Sequence, residues 1–127
     1  MLFGLSSWFF RKGKLDVTLV TVGLATLMRD ILNRAWSEQR ANVSLIQHYS
    51  TLDEFLRIGS EHPPEVMVVE SSAEELLRIQ SLLPVSNVLR ILDLGKSFEW
   101  HRPHLPMVKY GQLTSEQLIH VILMAQP

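Results

Sequence analysis

The 127 residues are enough for one domain with a real core and too few for two, and 46% apolar against 20% charged residues is the balance of an ordinary globular chain. A formal net charge of −1, with the basic residues scattered outside Arg11-Lys12-Gly13-Lys14, provides no electrostatic footprint for nucleic acid. The absence of cysteine excludes disulfides, thiolate metal centres and thiol nucleophiles, and it fits a cytoplasmic setting.

Residues 1–14 read as an arm ahead of a domain formed by residues 15–127. The arm is apolar and aromatic through Leu2, Phe3, Leu5, Trp8, Phe9 and Phe10, then basic at Arg11 and Lys12. It is too short to span a bilayer, which takes about 20 apolar residues, and its charges follow the apolar run, against the order of a secretory signal. Two readings remain. The arm either lies at a membrane surface, with its aromatics among the headgroups and its cations on anionic lipid, or packs its aromatics on its own domain or a partner. The second is favoured because exposed apolar termini are usually tied down.

From Val17 to Val22 a β-branched run predicts a strand ended by Gly23, and Leu24, Leu27, Met28, Ile31, Leu32 and Ala35 recur at helical spacing. Residues 43–47 read as a second strand, and overlapping capping boxes at residues 50–54 open a short helix closed by Gly59 and Pro63-Pro64. Val66-Met67-Val68-Val69 is the run of a central strand buried on both faces, with Glu70 at its carboxyl end. In open α/β sheets that edge collects ligands.

Ser71 and Ser72, each with a glutamate three residues on, predict a helix running through Leu76, Leu77, Ile79 and Leu83 and stopped by Pro84. A fourth strand follows at residues 88–94. Residues 96–105 hold Pro103 and show little periodicity, which predicts a short or irregular helix there. A fifth strand at residues 106–110 and a last helix capped at Thr114, with Leu118, Val121, Ile122 and Ala125 inward, complete the pattern. Strands alternating with helices predict a three-layer flavodoxin-like α/β fold: a five-stranded parallel sheet of order 2-1-3-4-5 with helices on both faces.

This layout, with Pro64-Glu65-Val66-Met67-Val68-Val69-Glu70 at its centre, resembles the receiver (CheY-like) domain of bacterial response regulators over residues 16–126. The resemblance implies that Glu70 stands in the place of the phosphoacceptor and Lys109 in that of the lysine ending the last strand. The places of the acidic pair that holds magnesium fall to Thr21 and Val22, and Asp93 stands where a hydroxyl residue is expected. A hard cation wants several oxygens including carboxylates, and no carboxylate lies between Asp16 and Asp30. The resemblance therefore implies a degenerate, non-enzymatic pseudo-receiver that is not phosphorylated by the usual route. Glu70 is then either a permanent mimic of the charged acceptor, paired with Lys109, or an ordinary carboxylate beside a helix start. Lys109 is correspondingly a salt-bridge partner or a plain surface lysine.

Within that family the chain is similar to the atypical receivers at the front of Tad/Flp pilus assembly proteins of the TadZ/CpaE type, where a MinD-like ATPase follows. The arm, the missing acidic pair and the stop after the last helix carry that similarity. It implies a bacterial signal transduction or localisation module that works by protein–protein interaction, without cofactor or metal, in the cytoplasm and at the inner membrane face or cell pole. The usual receiver pairing face corresponds here to Trp100, Tyr110, Leu118, Val121 and Ile122, which implies a homodimer of C2 symmetry, unless Trp100 covers the core beneath its loop.

Two rival readings are a working phosphoacceptor using Asp93 or Asp16 and a membrane-surface module acting through residues 1–14. His62, Glu99, His101 and His104 lack a metal-ligand spacing and read as solvated loop side chains. Glycine-rich phosphate loops, dinucleotide fingerprints and serine-nucleophile motifs are absent from the sequence.

Overall fold

The β-branched run at the start of the domain forms β1 (Val17–Val22), which pairs in parallel with β2 (Val43–Tyr49) on one side and β3 (Val66–Val69) on the other. The computed structural model describes residues 17–39, 43–59 and 61–124. The arm with Phe3, Trp8, Phe9, Phe10, Arg11 and Lys12, together with Asp16 and Ala125, lies outside the described residues. All four residues of β3 are shut from solvent, as an unbroken apolar run in a doubly covered strand requires. β4 (Asn87–Leu92) continues the parallel set on the far side of β3.

Beyond β4 the sheet departs from expectation. Residues 97–101, assigned from sequence to a short or irregular helix, form β5 (Ser97–His101), antiparallel to β4, and β6 (Val108–Tyr110) then runs antiparallel to β5. The sheet is therefore mixed and six-stranded, of order β2-β1-β3-β4-β5-β6, and the predicted five-stranded parallel sheet is corrected. The reason lies in two short-range features. Phe98 and Trp100 alternate with Ser97, Glu99 and His101, the period of a half-buried strand, and both aromatics are buried. Asp93, Leu94 and Gly95 take φ of 50°, 57° and 91°, a left-handed stretch that reverses the chain between Leu92 and its partner Ser97. A reversal that tight can only join antiparallel strands, because a parallel partner needs a crossover of a dozen residues or more.

Four helices cover the sheet among the described residues. α1 (Thr26–Gln39) and α4 (Ser115–Leu123) share one face, where Leu32, Ala35, Trp36, Leu118 and Ile122 close over Leu19, Val66, Val68, Leu89 and Trp100. α2 (Leu52–Ile58) and α3 (Ala73–Leu82) share the other, where Phe55, Leu76 and Ile79 close over Val20, Val22, Met67, Val69 and Val88. Three of these helices start on a hydroxyl that accepts a backbone N–H: Thr51 from Glu54, Ser72 from Glu75 and Thr114 from Gln117. Leu27, placed inward by helical spacing, is instead 72% exposed, since the stripe of α1 that meets the sheet is centred on Leu32, Ala35 and Trp36. No helix of the described residues is long and apolar enough to cross a membrane.

Candidate functional site

The parallel strands end together at the sheet edge where β3 delivers Glu70. Glu70 is half-buried, and its Oε1 accepts the backbone N–H of Ala25 at 2.9 Å, just ahead of α1. Its carboxylate thus serves one of the amides that a helix start leaves without an intrahelical partner, where negative charge is also favoured by the helix dipole. A cleft of 190 Å³ lies beside it, lined by Ala25, Leu27, Met28, Ile31 and Leu94.

The other residues expected at this edge are not gathered around Glu70. Thr21 is fully buried, and its Oγ1 lies 2.5 Å from Nδ1 of His48, its registered partner on β2. Val22 is 2% exposed and belongs to the apolar core under α2 and α3. Neither side chain offers an oxygen to a cation at the edge. Lys109 is exposed on β6, with β4 and β5 standing between it and β3, a separation of about 14 Å at the usual strand spacing. It does not reach Glu70. Asp93 is exposed in the left-handed turn and accepts from Ser97 Oγ at 3.3 Å. No group of three or more His, Asp or Glu is placed to hold a metal among the described residues.

His48 pairs its bond to Thr21 with an electrostatic bias. Burial lowers its pKa below 6.5, and the charge of Arg29 on α1 lowers it further. The unfolded chain therefore binds a proton at this position more readily than the folded one, so His48 contributes stability that is complete above pH 6.5 and is lost as pH falls through the lower folded value. Urea unfolding followed from about pH 7.5 down to about pH 5 should show falling stability with a flatter slope in His48→Gln; identical slopes would remove His48 as the cause.

The expected pairing face is also rearranged. Trp100, Leu118, Val121 and Ile122 are at most 5% exposed and belong to the chain's own core, so they are not free to anchor a partner. The cause is β5: once this strand joins the sheet, its inward aromatics lie under α4 and α4 turns its apolar stripe onto them. Tyr110 remains half-buried on β6, in a groove of 560 Å³ shared with Leu113, Glu116, Gln117, His120 and Met124.

A second cluster, on the α2/α3 face of the sheet, joins Arg90 of the predicted fourth strand to Glu99 and His101, which the sequence left outside any strand. Arg90 and Glu99 are registered partners across β4 and β5, and Nη1 of Arg90 lies 3.1 Å from Oε1 of Glu99. His101 Nε2 meets the same oxygen at 3.1 Å, Arg90 Nε donates to the carbonyl of Ser71 at 2.9 Å, and Gln80 Nε2 approaches His101 Nδ1 at 3.4 Å. The Arg90, Glu99 and His101 side chains are only 13–16% exposed. Burial pushes the Glu99 carboxyl up, but hydrogen bonds from His101 and Arg90, with their charges, outweigh it and hold the group below its ordinary value. Chemically the cluster is a locked ion pair that orients an imidazole. Its sequence signal was the alternation Ser97-Phe98-Glu99-Trp100-His101 together with one arginine in an otherwise apolar strand. His62 and His104, by contrast, are exposed as expected. No protein-family model matches the chain, and no curated protein sequence matches it.

Proposed function

We propose that this chain is a non-catalytic signalling or localisation module of the atypical receiver kind, working through protein–protein contact in the cytoplasm and without phosphorylation. The first four strands stand in the order 2-1-3-4 that a flavodoxin-like receiver uses, with a central strand ending in an acidic residue. The observation that carries the reading is the disposition of Glu70, Thr21 and Val22. The carboxylate in the acceptor's place is bonded to Ala25, and the two residues in the place of the acidic pair are interior. Phosphoryl transfer to a receiver depends on magnesium and a lysine neutralising charge around a carboxylate, and among the described residues neither a ligand set nor Lys109 stands beside Glu70.

A second copy of the chain is the proposed partner, and the front of a pilus-assembly protein with a MinD-like ATPase is the proposed setting. With Trp100 buried in the core, the Tyr110 groove is the surface proposed for that pairing. Sedimentation of the purified chain with and without magnesium and beryllofluoride, an acyl-phosphate mimic, tests the reading. The expected result is one dimeric mass indifferent to both additives. A mass change that needs both together would mean that a phospho-switch operates and would overturn it.

A further inference from the structure

The antiparallel strand β5 does more than widen the sheet. It carries its carboxyl end to the opposite edge from Glu70, beside the start of β4, where Val88 is the registered partner of His101. A cleft of 290 Å³ opens there between the end of α3 and the turn that follows β5. Its apolar walls are Leu83, Pro84, Val88, Pro103 and Leu105, and its polar lining comprises Gln80, Ser86, His101, Arg102 and His104, with no carboxylate. Ser86 Oγ is already committed to the carbonyl of Pro64, at 2.6 Å.

Two independent features mark this cleft as built to take something. Arg102 is half-buried, forms no ion pair among the described residues, and has an Nε shut from solvent without an acceptor. A buried donor left without a partner is costly, and a guanidinium is the side chain that best meets a planar or tetrahedral oxyanion with paired N–H groups. Glu99, three residues earlier in the chain, is held by Arg90 and His101.

The turn itself is the second feature. Leu105 N–H donates to the carbonyl of Arg102 at 3.2 Å, Pro103 fills the second position, and His104 fills the third with φ of 62°. This is the pattern of a type II turn, whose third position needs positive φ and is normally glycine. A histidine there sits in a conformation that favours glycine, and it lines the cleft.

We propose that this cleft binds a small ligand through an oxyanion, a phosphate or a carboxylate, with Arg102 as the principal anchor, His104 and Gln80 as further donors, and the proline and leucine walls holding a compact apolar body. The volume sits at the lower end of ligand pockets, which limits the ligand to a small molecule. The site is independent of the receiver reading, since it lies at the other edge of the sheet and uses none of the same residues.

Amide and side-chain NMR titration of the whole chain with inorganic phosphate, and separately with acetate, tests the proposal at constant ionic strength. Saturable shifts confined to Gln80, His101, Arg102, His104 and their neighbours are expected with at least one of the two, and the stronger identifies the oxyanion. Arg102→Ala should weaken that binding about tenfold or more, while Arg78→Ala, which removes an exposed arginine paired with Asp53, leaves it unchanged. His104→Gly supplies the residue the turn prefers, so it should keep the melting temperature and still lose affinity. Non-saturating shifts with both anions, or equal losses in Arg102→Ala and Arg78→Ala, would overturn the site.

Discussion

Replacing Trp100 with alanine is expected to remove about 3–5 kcal/mol of folding stability, the range for deleting a fully buried large aromatic side chain. Trp100 is 0% exposed on β5, packed in the same core as Leu89, Leu118 and Ile122. A loss of that size is a large share of the roughly 5–15 kcal/mol that holds a domain together, so the variant should unfold in much less urea or fail to fold at physiological temperature. Trp100→Phe keeps most of the buried area and removes an indole N–H that has no acceptor, so it should cost well under half as much. Urea midpoints for the pair, read beside sedimentation mass, separate the two roles considered for this residue. A core role lowers the midpoint in both variants and leaves the mass of the folded Trp100→Phe chain intact. An interface role would lower the mass with little change in the midpoint, and that result would refute the placement of β5.

The second large effect is expected at Glu99. Glu99→Ala leaves the Arg90 guanidinium and the His101 imidazole, both mostly buried, without the oxygen they share. Breaking a fully buried pair costs about 3–5 kcal/mol because the surviving charge is stranded, and the residual exposure of these side chains reduces this to about 2 kcal/mol. Glu99 also gives the acid limb of the stability curve its sign. Its folded pKa lies below the ordinary 4.5, so its stabilisation is complete above that value and is lost as pH falls through the lower folded one. Stability measured between about pH 5 and pH 3 should therefore fall less steeply in Glu99→Gln than in the parent chain. Parallel acid limbs would mean that Glu99 is not held in its charged form by Arg90 and His101.

The residues expected to act and those that cluster differ for one reason. Glu70 was legible because a run of four apolar residues between prolines and serines announces a central strand, and the residue that ends it follows by counting. What Glu70 touches was not legible, since Ala25 is 45 residues away and meets it only when β1 and β3 pair. The same holds for Thr21, whose partner His48 is set by the register of β1 on β2. Arg102 and His104 gave a local signal of a different kind: a proline followed by a residue in a glycine position is a type II turn in outline, but the cleft around it needs α3 and β4 to close two further walls.

By itself the sequence determined the elements whose causes are local. The β-branched run of β1, the doubly buried β3, the hydroxyl caps at Thr51, Ser72 and Thr114, and the α/β alternation each depend on residues within a turn or a strand of one another. Tertiary structure decided the rest. Residues 97–101 alternate only over five positions, too few to outweigh the nearby proline as a local signal, and become a strand because β4 offers an unpaired edge and the left-handed turn at Asp93, Leu94 and Gly95 brings the chain back onto it. That single pairing buries Trp100, sets Arg90 opposite Glu99, carries His101 and Arg102 to the far edge, and parts Lys109 from Glu70. Hydrogen bonds between strands are long-range in sequence, so their register is a property of the assembled sheet, and the placement of these charged side chains follows from it.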